Sequence, residues 1–371
     1  MEDLQIKSLG AQEYASPVFK HKHAETLRAS LKNENTHILK DISSTPDDSL
    51  GGEASFEKAM IPEKVFFDPI KTRVAIVTCG GICPGLNDVI RSLVMSLHYW
   101  YDVKDILGIR FGYAGFAKSS LAPPIQLTPE LVSNIHDMGG TMLGSSRGCP
   151  TEVEIVDTLN RLDINILFCV GGDGTLRGAH DINKEIEKRG LKISVVGIPK
   201  TIDNDVTYVY RSFGYQTAVA EAKKVISCAH VEAKSAYNGI GLVKLMGRNA
   251  GFIAADATKA SGDVNFCLVP EAKFPLYGEG GFLEVLQQRI LDRDHAVIAV
   301  AEGAGTEYIG ESGQLDASGN QLPNDIGLFL KDEIKKAFKE WGIPTTVKYI
   351  DPSYIIRSIP ANSDDSIFCA D

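Results

Sequence analysis

From residue 73 onward, short apolar runs alternate with amphipathic stretches. Arg73–Cys79, 105–109, Ile166–Val170, Ile193–Ile198, Ile240–Leu245, Val264–Val269, Ala296–Ala301 and Thr345–Ile350 read as strands, Arg73–Cys79 and Ile166–Val170 as buried ones. Between them apolar residues recur at spacings of three and four. Val89, Ile90, Leu93, Val94 and Leu97 form one such face, and Leu176, Ala179, Ile182 and Ile186 a second. Further helices are predicted over Gly214–His230, Gly281–Leu291 and 325–341. Alternating strands and helices predict an α/β fold with parallel sheets.

Two of the strands end in glycine turns that open helices. After Val170 come Gly171-Gly172-Asp173-Gly174-Thr175, and after Cys79 come Gly80-Gly81-Ile82-Cys83-Pro84-Gly85. Without Cβ atoms such turns let a ligand approach the main chain. The helix N-terminus beyond supplies free N–H groups and a positive dipole end, which together favour phosphate. The strand Ile193–Ile198 runs into Pro199-Lys200-Thr201-Ile202-Asp203-Asn204-Asp205. Both segments would lie at the carboxyl edge of one parallel sheet, where α/β folds bind ligands. Phosphate donors beside Asp173, Asp203 and Asp205 suggest magnesium-assisted phosphoryl transfer.

Composition narrows the setting. With 38 basic and 48 acidic residues the formal charge is −10, which disfavours nucleic acid and anionic membrane as partners. Seven cysteines without a Cys-x-x-Cys pair argue for a reducing compartment, and Cys79 and Cys83 read as packing residues. No stretch is long enough to span a membrane, so a cytoplasmic location is expected. The first 60 or so residues include the linker-like stretch Ser43–Gly52 and read as a partly disordered or surface-laid extension, with His21 and His23 solvated.

Gly-Gly-Asp-Gly-Thr at 171–175 followed by Pro-Lys-Thr-Ile-Asp-Asn-Asp at 199–205 resembles the 6-phosphofructokinases. The first motif also occurs in NAD kinases and lipid kinases; the second, at this distance, is specific. The likeness runs from about Phe67 to the end. It implies two Rossmann-like three-layer α/β/α domains with mainly parallel sheets and an active-site cleft between them. The expected divisions are an extension over 1–66, a nucleotide-binding domain over 67–212 and a sugar-phosphate-binding domain over 213–371. That last domain is expected to be shorter than in the family, since the chain ends 14 residues after Arg357.

The resemblance also implies roles. Gly81, Arg147, Gly148, Gly172, Asp173, Gly174 and Thr175 match the ATP side, with Asp173 the Mg²⁺ ligand. Asp203 matches the base that takes the proton of the sugar's primary hydroxyl, with Thr201 and Arg248 beside it in the catalytic set. Thr201, Ile202, Asp203, Met246, Gly247, Arg248, Glu302, Tyr354, Ile355, Ile356 and Arg357 match the fructose 6-phosphate side. The implied protein is an ATP-dependent 6-phosphofructokinase and a homo-oligomer, dimer or tetramer.

Departures from the common bacterial type are Gly239 and Lys348 in place of arginines, Tyr354 in place of histidine and Met95 in place of an effector-binding arginine. The long N-terminal extension, Lys200 before Thr201, and Tyr-Ile-Asp-Pro-Ser-Tyr-Ile-Ile-Arg at 349–357 resemble instead the branch shared by plants, trypanosomatids and some bacteria. Pyrophosphate is the alternative donor. Lys200 resembles pyrophosphate users, whereas Gly174 resembles ATP users, which lack the aspartate found there in the pyrophosphate type. A noncatalytic sugar-phosphate-binding regulatory subunit is a further alternative, opposed by the presence of both Asp173 and Asp203. The sequence holds no Gly-x-x-x-x-Gly-Lys-[Ser/Thr] phosphate loop, and its glycine spacing fits a dinucleotide-dependent dehydrogenase poorly.

Overall fold

A computed structural model describes residues 6–20, 37–39, 55–59, 61–119, 122–146, 148, 150–315 and 321–371. Arg147, His21 and His23, and the linker-like stretch Ser43–Gly52, lie outside the described residues.

The first sheet contains β1 (Arg73–Thr78), β2 (Asp105–Ile109), β3 (Ile125–Gln126), β4 (Ile166–Gly171) and β5 (Ser194–Pro199), in the order β3-β2-β1-β4-β5. Only β3, at the edge, is antiparallel. Sequence reasoning missed β3, which at two residues is too short to show a period. The central strand β1 is apolar on both faces: Val74 and Ile76 join one core, and Ala75 and Val77 another.

The second sheet contains β6 (Gly239–Leu245), β7 (Phe266–Leu268), β8 (His295–Ala301) and β9 (Thr346–Ile350). Its order is β7-β8-β6-β9 and all its pairings are parallel. The run Val264–Val269 forms a strand only over Phe266–Leu268.

The longer helices are α1 (Leu86–Met95), α2 (Glu152–Arg161), α3 (Asp173–Lys188), α4 (Tyr215–Lys234), α5 (Phe252–Ser261), α6 (Phe282–Arg293), α7 (Ile326–Glu340) and α8 (Ser363–Ala370). Sequence reasoning left out α2, α5 and α8. In α5 the buried face is Ile253, Ala254 and Ala257, and small alanines carry little apolar periodicity. In α8 acidic residues fill the first turn, and the helix forms because Asn362 caps it through the Asp365 N–H.

One buried cluster joins the sheets: Val74 and Ile76 of β1, Ile90 and Val94 of α1, Ala222, Ile226 and Ala229 of α4, and Val297 and Ala299 of β8. Small residues let α4 lie close on β6. A Cβ at Gly239 would come 2.0 Å from the Ala233 carbonyl oxygen, so that position has no room for any side chain, let alone an arginine.

In each sheet one pair of neighbouring strands sends its helices to opposite faces. Helix α1, after β1, packs in the central cluster, and α3, after β4, on the outer face. Likewise α5 follows β6 into the central cluster while α7, beyond β8, covers the other face. Each divergence opens a crevice at the carboxyl ends of the strands, β1/β4 in one sheet and β6/β8 in the other.

The described part of the N-terminal extension is laid over the surface. Tyr14–Ala15 pairs antiparallel with Lys64–Val65, Lys7 pairs with Glu187 of α3 at 3.1 Å, and Lys192 donates to the Leu9 carbonyl.

Candidate active site

On the first sheet, β4 ends at Gly171 and Gly172 starts α3. A Cβ at Gly171 would meet Thr175 Oγ1 at 2.2 Å, so glycine is required for Thr175 to fold back. Thr175 is buried, and its carbonyl accepts the Tyr113 hydroxyl at 2.8 Å. Asp173, the first residue of α3, is exposed, with Oδ2 3.7 Å from Arg177. Apart from its chain neighbours and the α3 backbone, nothing lies within 4 Å of where a Cβ on Gly174 would sit. Gly148, also expected here, has φ +88° and similarly open surroundings.

Lys200 closes this edge from the neighbouring strand. It is buried, and its ammonium donates to the Gly81 carbonyl. Burial holds its pKa below the usual lysine value. The side chain thus ties the end of β5 to the turn after β1. This use of Lys200 was not legible from the sequence.

The segment after β5 is fixed by its own polar side chains. Thr201 Oγ1 accepts the Asp203 N–H at 3.0 Å, and the Thr201 carbonyl accepts the Ser212 hydroxyl at 2.7 Å. Asn204 stands at φ +54°, a conformation asparagine tolerates better than most residues. Its Oδ1 accepts the Ser212 N–H at 2.9 Å. Asn204 and Ser212 were not among the expected site residues, although an Asn between two aspartates is a usable signal for a left-handed turn.

On the second sheet, Met246-Gly247-Arg248 leaves β6 and Glu302-Gly303 leaves β8. Gly247 has φ +143° and Arg248 φ +54°. Glu302 Oε1 accepts the N–H groups of Gly247 at 3.3 Å and Arg248 at 2.7 Å. Gly303 is a further requirement that sequence reasoning did not identify: a Cβ there would lie 2.1 Å from the Arg248 carbonyl oxygen.

The turn Ser353–Arg357 follows β9. Tyr354 and Ile355 are exposed, with the Arg357 guanidinium 4.7 Å from the Tyr354 ring centre. Ile356 is fully buried and Ile202 nearly so, so these two expected substrate residues can offer a ligand only their main chain. Met246 also packs partly against the central cluster. Arg357 Nη1 lies 2.9 Å from where a Cβ on Gly81 would sit. The second sheet's arginine therefore reaches the first sheet's glycine turn.

Asp203 registers this convergence most clearly. Its pKa is raised to about 7, by burial first and then by the negative charges of Asp205 and Glu302, against the opposing pull of Arg248 and Arg357. Three of those four charged neighbours come from the second sheet. Among the described residues no three His, Cys, Asp or Glu side chains gather to hold a metal by themselves.

A two-part parallel α/β fold with glycine turns and a perturbed carboxylate between facing sheet edges is the architecture of a phosphate-handling enzyme. Residues 73–371 match the family described as Phosphofructokinase, and the chain belongs to that family. It is 50% identical over 376 residues to the ATP-dependent 6-phosphofructokinase of Borreliella burgdorferi, covering 99% of this chain and 84% of that protein. It is 45% identical to the ATP-dependent 6-phosphofructokinase of Trypanosoma brucei brucei, covering 100% of this chain and 76% of the relative. Against ATP-dependent 6-phosphofructokinase 5, chloroplastic, of Arabidopsis thaliana the identity is 47%, over 91% of this chain and 65% of that one. Among solved structures, the pyrophosphate-dependent phosphofructokinase of Marinobacter aquaeolei superposes with a TM-score of 0.66 at 20% identity, covering 81% of this chain and 73% of that one. The phosphofructokinase of Saccharomyces cerevisiae gives 0.62 at 24% identity, covering 81% and 40%. At these identities the structural likenesses bear on the fold alone.

Proposed function

We propose that this chain transfers the terminal phosphoryl group of ATP to the primary hydroxyl of fructose 6-phosphate, giving fructose 1,6-bisphosphate. The observation that carries the reading is Asp203, a carboxylate raised to about 7 and held between the two sheet edges. A base with a pKa near the working pH removes a hydroxyl proton most effectively. The Thr201 hydroxyl, bonded to the Asp203 N–H, fixes the turn that aims it.

The sugar phosphate is assigned to Arg248 and Arg357, whose planar guanidinium groups suit phosphate oxygens. Glu302 holds the Arg248 main chain through Oε1 and leaves its second oxygen for sugar hydroxyls. The nucleotide phosphates are assigned to the N-terminus of α3 and the turn at Gly81, and by motif match alone to Arg147 and Gly148. Mg²⁺ fits Asp173, because magnesium usually keeps several waters and takes one or two carboxylates plus substrate phosphates, not an all-protein cage. When bound, it neutralises charge on the transferring phosphoryl group.

The ATP reading over pyrophosphate rests on the open space at Gly174. The same reading makes the enzyme a cytoplasmic homo-oligomer, with the nucleotide side over 67–212 and the sugar side over 213–371. Among the described residues no helix is long and apolar enough to cross a membrane. The deciding experiment is a coupled assay on purified protein with fructose 6-phosphate and Mg²⁺. Turnover with ATP and little with pyrophosphate supports the proposal. The reverse makes pyrophosphate the donor, and sugar binding without turnover makes the chain a regulatory subunit.

A further inference from the structure

Helix α8 contributes a fully buried carboxylate, Asp365, that the reaction itself does not use. Its Oδ2 accepts both the N–H of Thr217, at 2.7 Å, and the Thr217 hydroxyl, at 2.5 Å. Thr217 stands in the first turn of α4, so a negative charge here meets the positive end of a 20-residue helix. The Thr217 hydroxyl oxygen in turn accepts the Asn362 N–H at 2.9 Å, which sets where α8 begins.

A buried carboxylate needs a cation as well as hydrogen bonds. Arg211 Nη2 stands 4.0 Å from Asp365 Oδ1, an ion contact without a hydrogen bond, and its firm hold on α8 is the hydrogen bond it donates to the Asp364 carbonyl oxygen at 3.0 Å. Its guanidinium also lies over the Phe368 ring, 5.1 Å from the centre. Arg211 belongs to the segment that begins at Asp203. The next residue, Ser212, binds the Thr201 carbonyl and the Asn204 side chain. A continuous line of contacts therefore runs from Asp365 through Arg211 and Ser212 to the turn that presents Asp203.

We infer that Arg211 and Asp365 are positioning residues for the base, and that α8 fixes how far the half-buried Asp203 is shielded from water. Neither touches the reacting atoms. Their effect is conformational: if Arg211 lets go of α8, the segment 203–213 loosens and water reaches Asp203. Burial is the largest cause of the raised Asp203 pKa, so loosening brings that pKa down. This inference rests on the reading of Asp203 as the base.

The test uses the full chain with Arg211→Met, which keeps the contact with Phe368 but removes the charge and donors, and Arg211→Lys, which keeps the charge. Thermal midpoint, kcat, both KM values and the pH midpoint of kcat/KM are measured. Arg211→Met is expected to lower kcat about tenfold or more, to leave the ATP KM within about twofold, and to move the pH midpoint down by half a unit or more. Arg211→Lys is expected to recover part of both effects. An unchanged pH midpoint in Arg211→Met overturns the inference, whatever happens to the thermal midpoint, because α8 would then only add stability. Asp203→Asn is run alongside. If that variant keeps near-normal turnover, the reading of the base fails; if it is inactive while Arg211→Met behaves as wild type, only the positioning role fails.

Discussion

Glu302 holds Arg248 by its main chain: Oε1 accepts the Arg248 N–H at 2.7 Å, and the arginine stands at φ +54°. The carboxylate thus stabilises an uncommon backbone conformation and also adds negative charge near Asp203. These two effects separate by substitution. Glu302→Gln keeps an acceptor for the main chain but loses the charge, so the Asp203 pKa falls and the rising limb of kcat/KM against pH moves to lower pH. Glu302→Ala loses both, and its fructose 6-phosphate KM is expected to rise at least tenfold further. Steady-state kinetics across pH 5.5–9 check both outcomes.

Asp203→Asn is expected to lower kcat by about 10²-fold or more, the usual contribution of a general base, with a much smaller change in KM. In the native enzyme kcat/KM rises with pH around a midpoint near 7, as Asp203 loses its proton. Stability moves the opposite way. The folded-state pKa is about 7 against an ordinary 3.8, so the folded protein holds this proton where the unfolded chain has lost it. The group's contribution is full below 3.8 and is lost as pH rises to 7. Asn, which does not titrate, is spared this loss. The thermal midpoint of Asp203→Asn relative to wild type should therefore be higher at pH 8 than at pH 4. Near-normal turnover in the variant would remove Asp203 as the base.

Arg248→Ala and Arg357→Ala are each expected to raise the fructose 6-phosphate KM more than the ATP KM, by removing a charge-assisted phosphate contact. Arg357 also packs against Gly81, so its variant is expected to show the larger secondary effect on ATP. A loss of ATP affinity alone in both variants would place these arginines on the other side of the cleft.

Lys244, in β6 shortly before the Arg248 turn, is tied to Asp351 of the segment that leads to Arg357. Its ammonium lies 2.6 Å from Asp325, the cap of α7, and 2.8 Å from Asp351, which also accepts the Ser353 N–H. Burial alone would lower the Lys244 pKa, but the hydrogen bonds to Asp325 and Asp351 outweigh it and raise the pKa above its ordinary value. Lys244 and both carboxylates are only partly buried, so water compensates part of the lost pairing and Lys244→Met is expected to cost less than the about 3–5 kcal/mol of a fully buried pair. Chemical denaturation is expected to show this loss, and kinetics a rise in fructose 6-phosphate KM with ATP KM unchanged. An equal rise in both KM values would mean that the triad acts on the whole fold.

Legibility followed chemical type. The alternating strands and helices, the glycine turns and the carboxylate of Asp203 were visible because period, glycine and a specific motif each leave local marks. Lys200 was visible as a residue but not as a strut, because the Gly81 carbonyl it binds is 119 positions away. Asp365 and Arg211 left no mark, since 148 residues separate Asp365 from Thr217 and an acidic first turn looks like any solvated helix start. Gly303 was passed over because what it avoids, the Arg248 carbonyl, is brought there only by tertiary packing.

Gly174 offers the sharpest separation of function from stability. It is the second residue of α3, and apart from its chain neighbours and the α3 backbone nothing lies within 4 Å of an added Cβ. Aspartate therefore fits without displacing anything. A negative charge in the first turn also complements the helix dipole, worth roughly 0.3–1 kcal/mol, and replacing glycine inside a helix reduces an entropic cost of similar size. Gly174→Asp is thus expected to fold at least as stably as the natural protein. Its carboxylate would enter the space beside the α3 N-terminus assigned to the nucleotide phosphates, crowding and repelling a second anion there. The expected result is loss of turnover with ATP, an unchanged or raised thermal midpoint, and retained fructose 6-phosphate binding by calorimetry. Undiminished ATP turnover in a folded Gly174→Asp variant would mean that the nucleotide phosphates lie elsewhere, and the case for ATP over pyrophosphate at this position would fall with it.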